Sequence, residues 1–138
     1  MMRCSSTSSQ LRGRVAYRSA STTIRAPRIS GSVRFAAAAS YHGGNLATDA
    51  PTSPHLLAPR IKAEVYVAAA TDDGSYPPAM AERLEASLTQ AGVRYETRTY
   101  PAAHGWMMPD FPVHDPAAAE RGWDDMLALF RRTLHGEA

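Results

Sequence analysis

Residues 62–106 read KAEVYVAAATDDGSYPPAMAERLEASLTQAGVRYETRTYPAAHGW, and this stretch decides the fold. Lys62–Ala70 is an apolar run that predicts a strand, and Asp72-Asp73-Gly74 breaks it with a strong turn signal. Pro77 and Pro78 start a helix, because proline fits the first turn, where backbone N–H groups have no partner anyway. Met80, Leu84, Leu88 and Ala91 share one face of that helix and Gly92 stops it. Val93–Tyr100 then alternates Val93, Tyr95, Thr97 and Thr99 on one side, as a half-buried strand should.

Working outward, Phe35–Tyr41 (FAAAASY) is a run of small residues that suits a buried strand packed closely by helices, and it ends at His42-Gly43-Gly44-Asn45. Leu46 to Arg60 carries Pro51, Pro54 and Pro59 and reads as a long loop. A second loop, rich in Pro and His, spans 101–115. Asp115-Pro116 is an N-cap followed by proline at the first helical position. The closing helix carries Ala119, Trp123, Met126, Leu127, Phe130 and Leu134 on one stripe, with Arg131 and Arg132 near its negative end. The order is strand, loop, strand, helix, strand, loop, helix. This alternation predicts an α/β fold with a mainly parallel sheet and crossover helices.

At 138 residues the chain has room for one domain with a modest core. Its single cysteine, Cys4, excludes a disulfide framework and a thiolate-rich zinc site. No window approaches the roughly 20 apolar residues that a membrane-spanning helix needs. The net charge of +2 hides a division: residues 1–40 hold seven Arg and no acid, while residues 41–138 hold eight Lys or Arg against thirteen acids. Within the basic part, residues 1–34 have no hydrophobic period and bury too little to offset chain entropy, so they are expected to be disordered.

Three readings of that segment compete. A nucleic-acid arm has the charge, but it has one aromatic, Tyr17, for stacking and no recognisable motif. An organellar transit peptide fits the Arg- and Ser-rich, acid-free composition better, whereas a secretory signal lacks its apolar stretch. For roughly residues 2–11 the leading reading is translation out of frame. With serine taken as TCN codons and arginine as CGN, the preceding frame across Met2–Leu11 gives mostly apolar residues around one polar position, an amphipathic pattern that the written frame lacks.

In parallel sheets, functional residues gather in the loops at the carboxyl ends of strands. Two such loops hold titratable groups: Asp72-Asp73 after the second strand and His104 after the third. An acid followed by a histidine matches the last two members of a Ser/Cys–Asp–His triad, whose chain order is nucleophile, acid, base. His42, His55, His114 and His135 read as loop or surface residues, although His42 falls where the mouth of a sheet would be. Met107 and Met108 read as packing under the loop or lining a pocket.

SYHGGNLATDAPTSPHL (40–56), VYVAAATDDGSYPP (65–78), YPAAHGW (100–106) and HDPAAAERGWDDMLALF (114–130) together resemble the dienelactone hydrolase family of α/β-hydrolases. The resemblance runs from about Arg34 to Leu134 and implies the C-terminal half of that fold, residues 35–138, hydrolysing an ester or lactone. It selects Asp73, four residues before Pro77, over Asp72 as the acid, and His104, before Gly105-Trp106, as the base. It implies no cofactor and no metal, and a small-molecule ester or lactone as substrate. Nucleic acid and membrane are not expected partners, and a cytoplasmic location is expected.

The family's nucleophile elbow, Gly-x-Cys-x-Gly or Gly-x-Ser-x-Gly, occurs nowhere in the chain, and Cys4 lacks both flanking glycines. The Arg that follows the histidine in well-known members is also missing from HGWMMPD (104–110), against dienelactone itself as substrate. The expectation is therefore a truncated hydrolase, inactive alone. The rival expectation is a non-enzymatic complementation or interaction fragment that pairs or self-associates through an uncovered sheet edge. The genomic DNA around the start codon tests the frame reading: an upstream frame that continues a coherent hydrolase sequence is expected, and one that does not would contradict it.

Overall fold

The computed structural model describes residues 35–134. The basic segment, Cys4 and His135 lie outside the described residues. Three strands, β1 (Ala37–Tyr41), β2 (Glu64–Asp72) and β3 (Tyr95–Ala103), form a parallel sheet in the order β1-β2-β3. Helix α1 (Pro78–Gln90) is the crossover from β2 to β3, and α2 (Pro116–Leu134) follows β3.

Because helices cover both faces of the sheet, β2 has to be apolar on both sides. Its even residues Tyr66, Ala68 and Ala70 join Tyr41, Tyr100, Trp106 and the inner face of α2 in one core cluster. Val67, with Val65 and Ala69 beside it, packs with Leu84 and Leu88 of α1 in the other. The run VYVAAA is thus one strand read from two sides. Between Ala70 and Asp72 the register against β3 shifts, so Asp72 pairs with Ala103, and both chains leave the sheet at the same edge.

Three sequence expectations change. The stretch 46–60 is not all loop, since Pro54–Arg60 forms a 3-10 helix started by its own proline, with Ala58 buried beneath it. Strand β3 runs on through Pro101 to Ala103, which shortens the following loop. Proline is tolerated there because, among the described residues, β3 has a strand partner on one side only, so one row of its N–H groups needs none. The deepest residue of β3 is Tyr100, on the face opposite the expected Val93–Thr99 row. Its hydroxyl donates to Asp125 of α2 at 2.5 Å and meets the Tyr66 hydroxyl at 2.8 Å.

The third change is a shift of the face that α2 turns inward: Ala119 and Met126 of the expected stripe are buried, but Trp123 and Leu127 are not. Ala118, Ala119, Gly122, Met126 and Leu129 are buried, whereas Trp123 is 45% exposed and Leu127 42%. Small residues decide this. A Cβ at Gly122 would stand 3.2 Å from both Met107 and Tyr41, and the Tyr41 hydroxyl donates to the Gly122 carbonyl at 2.6 Å. The helix therefore approaches the sheet along its Ala/Gly row, and the bulky stripe through Trp123 and Leu127 is left outside. At its start the expected cap is present, with Asp115 Oδ1 accepting the Ala118 N–H at 2.9 Å. Among the described residues no helix is long and apolar enough to cross a membrane.

Truncating the inward face should cost far more than truncating the outward stripe. Leu129→Ala is expected to lose about 2–5 kcal/mol, and Trp123→Ala no more than about 0.5 kcal/mol, both read by urea unfolding. A reversed ranking would restore the face expected from the sequence.

Candidate active site

The parallel pairing brings the turn after β2 beside the turn after β3. The His104 N–H donates to the Asp72 carbonyl at 3.0 Å, which extends the ladder by one bond. The Asp72 side chain points away and is exposed, while Asp73 turns inward. Asp73 Oδ2 lies 2.8 Å from His104 Nδ1, with the Asp73 side chain 2% exposed and that of His104 38%. Of the two adjacent acids, only Asp73 is brought against the histidine.

Ser75 holds the carboxylate still. Its backbone N–H and its hydroxyl both donate to Asp73 Oδ1, at 2.9 and 2.6 Å, which leaves Oδ2 for the imidazole. The Ser75 hydroxyl also lies 3.4 Å from His104 Nδ1. Burial alone would raise the Asp73 pKa, but these bonds from Ser75 and His104 outweigh it and hold the carboxyl below its usual value. A charged Asp73 accepts a hydrogen bond from the Nδ1–H, so Nε2 becomes the lone-pair nitrogen of His104, on the more exposed partner of the pair.

A second histidine sits beneath the first. His42 follows β1, is 4% exposed and stands 5.4 Å from the His104 ring, centroid to centroid. Burial pushes its pKa down to about 4; the neighbouring His104 adds to the fall and Asp73 opposes it. It is therefore a residue of the turn after β1, as expected, but an enclosed one rather than a surface residue. The expectation for His55 also fails, because it is buried in the 3-10 helix with Nδ1 2.8 Å from the Ser53 hydroxyl. His114 is half-buried in the loop before α2. Met107 packs under the loop in the α2-side core.

Neither Ser75 nor the depth of His42 stands out from sequence. The Asp-x-Ser spacing of a local turn was the available signal for Ser75. For His42 it was the adjoining Gly-Gly. A Cβ at Gly44 would meet the Ser75 hydroxyl at 2.8 Å, so this glycine lets the turn after β1 close against the Asp73 loop. The Asn45 N–H bonding to the Ser75 carbonyl at 2.9 Å marks the same contact. Among the described residues no group of three or more His, Cys, Asp or Glu side chains could hold a metal ion.

Residues 25–134 match the dienelactone hydrolase family. Among solved structures, the chain is similar to a protein assigned as a dienelactone hydrolase in Klebsiella pneumoniae, at 25% identity and a TM-score of 0.65, over 71% of this chain and 42% of that one. It is also similar to a dienelactone hydrolase-like promiscuous phosphotriesterase from metagenomic libraries, at 23% identity and a TM-score of 0.60, over 72% and 43%. The acylaminoacyl peptidase of Pyrococcus horikoshii shares the fold at 17% identity and a TM-score of 0.57, over 72% of this chain and 20% of that one. The sheet and helices are thus those of the α/β-hydrolase fold, and the chain spans about two fifths of the length of the first two relatives. No curated protein matches it.

The two buried groups should separate by pH. His42 is neutral when folded and protonates near 6.5 when unfolded, so its contribution is complete above 6.5 and is lost as the pH falls toward about 4. The loss is at most about 3 kcal/mol. Asp73, held below its ordinary value of 3.8, gives up its contribution only at lower pH. Chemical denaturation across pH 4–6.5 should therefore show a slope that His42→Asn flattens; an unchanged slope would contradict the neutral, buried state of His42.

Proposed function

This chain belongs to the dienelactone hydrolase family, and from that premise we propose that Asp73 and His104 are the acid and base of a carboxylic ester or lactone hydrolase. The observation that carries the reading is the 2.8 Å contact between a buried carboxylate and a part-exposed imidazole at adjacent strand ends. Asp73 fixes the tautomer of His104 and stabilises its protonated form. His104 Nε2 takes the proton of a Ser or Cys nucleophile as it attacks the carbonyl, then returns it to the leaving alcohol. The resulting acyl-enzyme is hydrolysed by water that the same nitrogen activates. The reaction needs no cofactor.

The nucleophile is the missing member. No Gly-x-Ser/Cys-x-Gly elbow occurs in the sequence, and the oxyanion hole draws one of its N–H groups from the residue after such a nucleophile. We therefore infer that the elbow and the oxyanion donors come from a part of the fold that residues 35–134 do not contain. Strand β1 has a strand partner on one side only among the described residues, which leaves its other side open to a further strand.

A second reading, a complementation or self-associating fragment without activity of its own, is favoured by that open edge. The exposed Trp123 and Leu127 beside each other on α2 favour it too. Two measurements test what these readings share, a missing nucleophile and an uncovered edge. The purified chain is expected to hydrolyse no simple aryl ester; turnover that His104→Ala abolishes and Cys4→Ala leaves intact would show that a nucleophile is already present. In size-exclusion chromatography the chain should associate, whereas a monodisperse, cooperatively melting monomer would count against an uncovered edge.

A further inference from the structure

We propose that His42 is a positioning residue for His104: its neutral ring accepts the backbone N–H of Gly105 and so fixes the turn on which His104 is carried. The inference rests on the acid–base reading of Asp73 and His104.

The contacts of His42 concentrate on three consecutive residues that follow His104. The Gly105 N–H points at Nδ1 at 3.1 Å, the Met107 N–H faces Nε2 at 3.4 Å, and the Trp106 ring meets the imidazole edge-on at 4.2 Å between centroids. A neutral imidazole has one lone-pair nitrogen, and the shorter contact assigns it to Nδ1. Both ring nitrogens face backbone donors, so a protonated ring would set N–H against N–H at both. Of the charged or titratable groups around it, His104 disfavours that proton and Asp73 favours it, and burial decides for the neutral form.

His104 is thereby held from both sides. Its own N–H is bonded to the Asp72 carbonyl, and the next N–H, that of Gly105, is bonded to His42. Gly105 has a φ of +103°, a conformation open to glycine, and this is where the chain reverses after His104. Without the Nδ1 acceptor, the turn has a buried donor with no partner and the imidazole loses its fixed approach to Asp73. His42 itself has a φ of +57°, which costs a non-glycine residue energy and persists where its surroundings over-determine it.

The side chains that could replace it give the test. Asparagine places a carbonyl oxygen near the Nδ1 position and tolerates a left-handed backbone. Phenylalanine keeps a ring against Trp106 and offers no acceptor. In the 15N-labelled full chain, NMR should show a scalar coupling across the hydrogen bond from the Gly105 nitrogen to His42 Nδ1. It should also show a low-field proton on His104 Nδ1, bonded to Asp73. His42→Asn should keep the low-field proton and His42→Phe should lose it. Absence of the coupling in the folded chain, or a folded His42→Phe that keeps the proton unchanged, would overturn the proposal. If His42→Phe does not fold, the coupling and the His42→Asn spectrum decide: loss of the low-field proton in a folded asparagine variant overturns it equally. No substrate is present in any of these measurements, so a chain that proves not to be a hydrolase leaves them interpretable.

Discussion

Parallel pairing of β2 with β3 makes the chain leave both strands at one edge of the sheet, and the Asp73–His104 contact follows from that constraint. The crossover helix α1 has to return the chain to the start of the sheet, so the two turns carrying the acid and the histidine lie side by side although 31 positions separate them. The register shift at Ala70–Asp72 sets the last step, pairing Asp72 with Ala103 and leaving the next residue of each strand, Asp73 and His104, free to face each other. A one-residue slip in this pairing would turn the carboxylate to the other face of the sheet.

The site is assembled by satisfying one buried charge. Asp73 is removed from water, which is costly unless its oxygens find donors. Ser75 supplies two to one oxygen and His104 one to the other. The turn after β1 closes over this group, with Gly44 against Ser75 and His42 under the loop of His104. All three strands thus contribute the end of one turn to the same small volume.

Much of this was legible in the sequence where local chemistry and pattern agreed. The strand–turn–helix of 62–92 has its proline start, its apolar face and its glycine stop in sequence order, and α1 and β2 follow it closely. Asp115-Pro116 marks the start of α2 for the same reason. The inward face of α2 was legible in part: Ala119 and Met126 are buried as expected, but hydropathy weights Trp123 and Leu127 above Gly122, and only the closeness of Tyr41 and Met107 reveals why a glycine must face the sheet. His42 and Ser75 were hidden for a related reason. Ser75 acts on Asp73 only two positions away, but a serine after Asp-Gly reads as an ordinary turn; the role of His42 is a contact with a turn 63 positions away, and a histidine next to two glycines looks the same whether it is exposed or enclosed.

The proposed acid and base, Asp73 and His104, need a nucleophile supplied from outside residues 35–134 to act as a family hydrolase. The most direct test combines the chain with the nucleophile-bearing N-terminal half of a dienelactone hydrolase relative and measures ester turnover of the pair. Turnover is expected from the mixture and from neither half alone, and Asp73→Asn should reduce it by roughly 10^4-fold, the loss that a wrong histidine tautomer causes in a Ser-His-Asp triad. A stable complex of the two halves with no turnover, or turnover that survives Asp73→Asn and His104→Ala, would contradict the account.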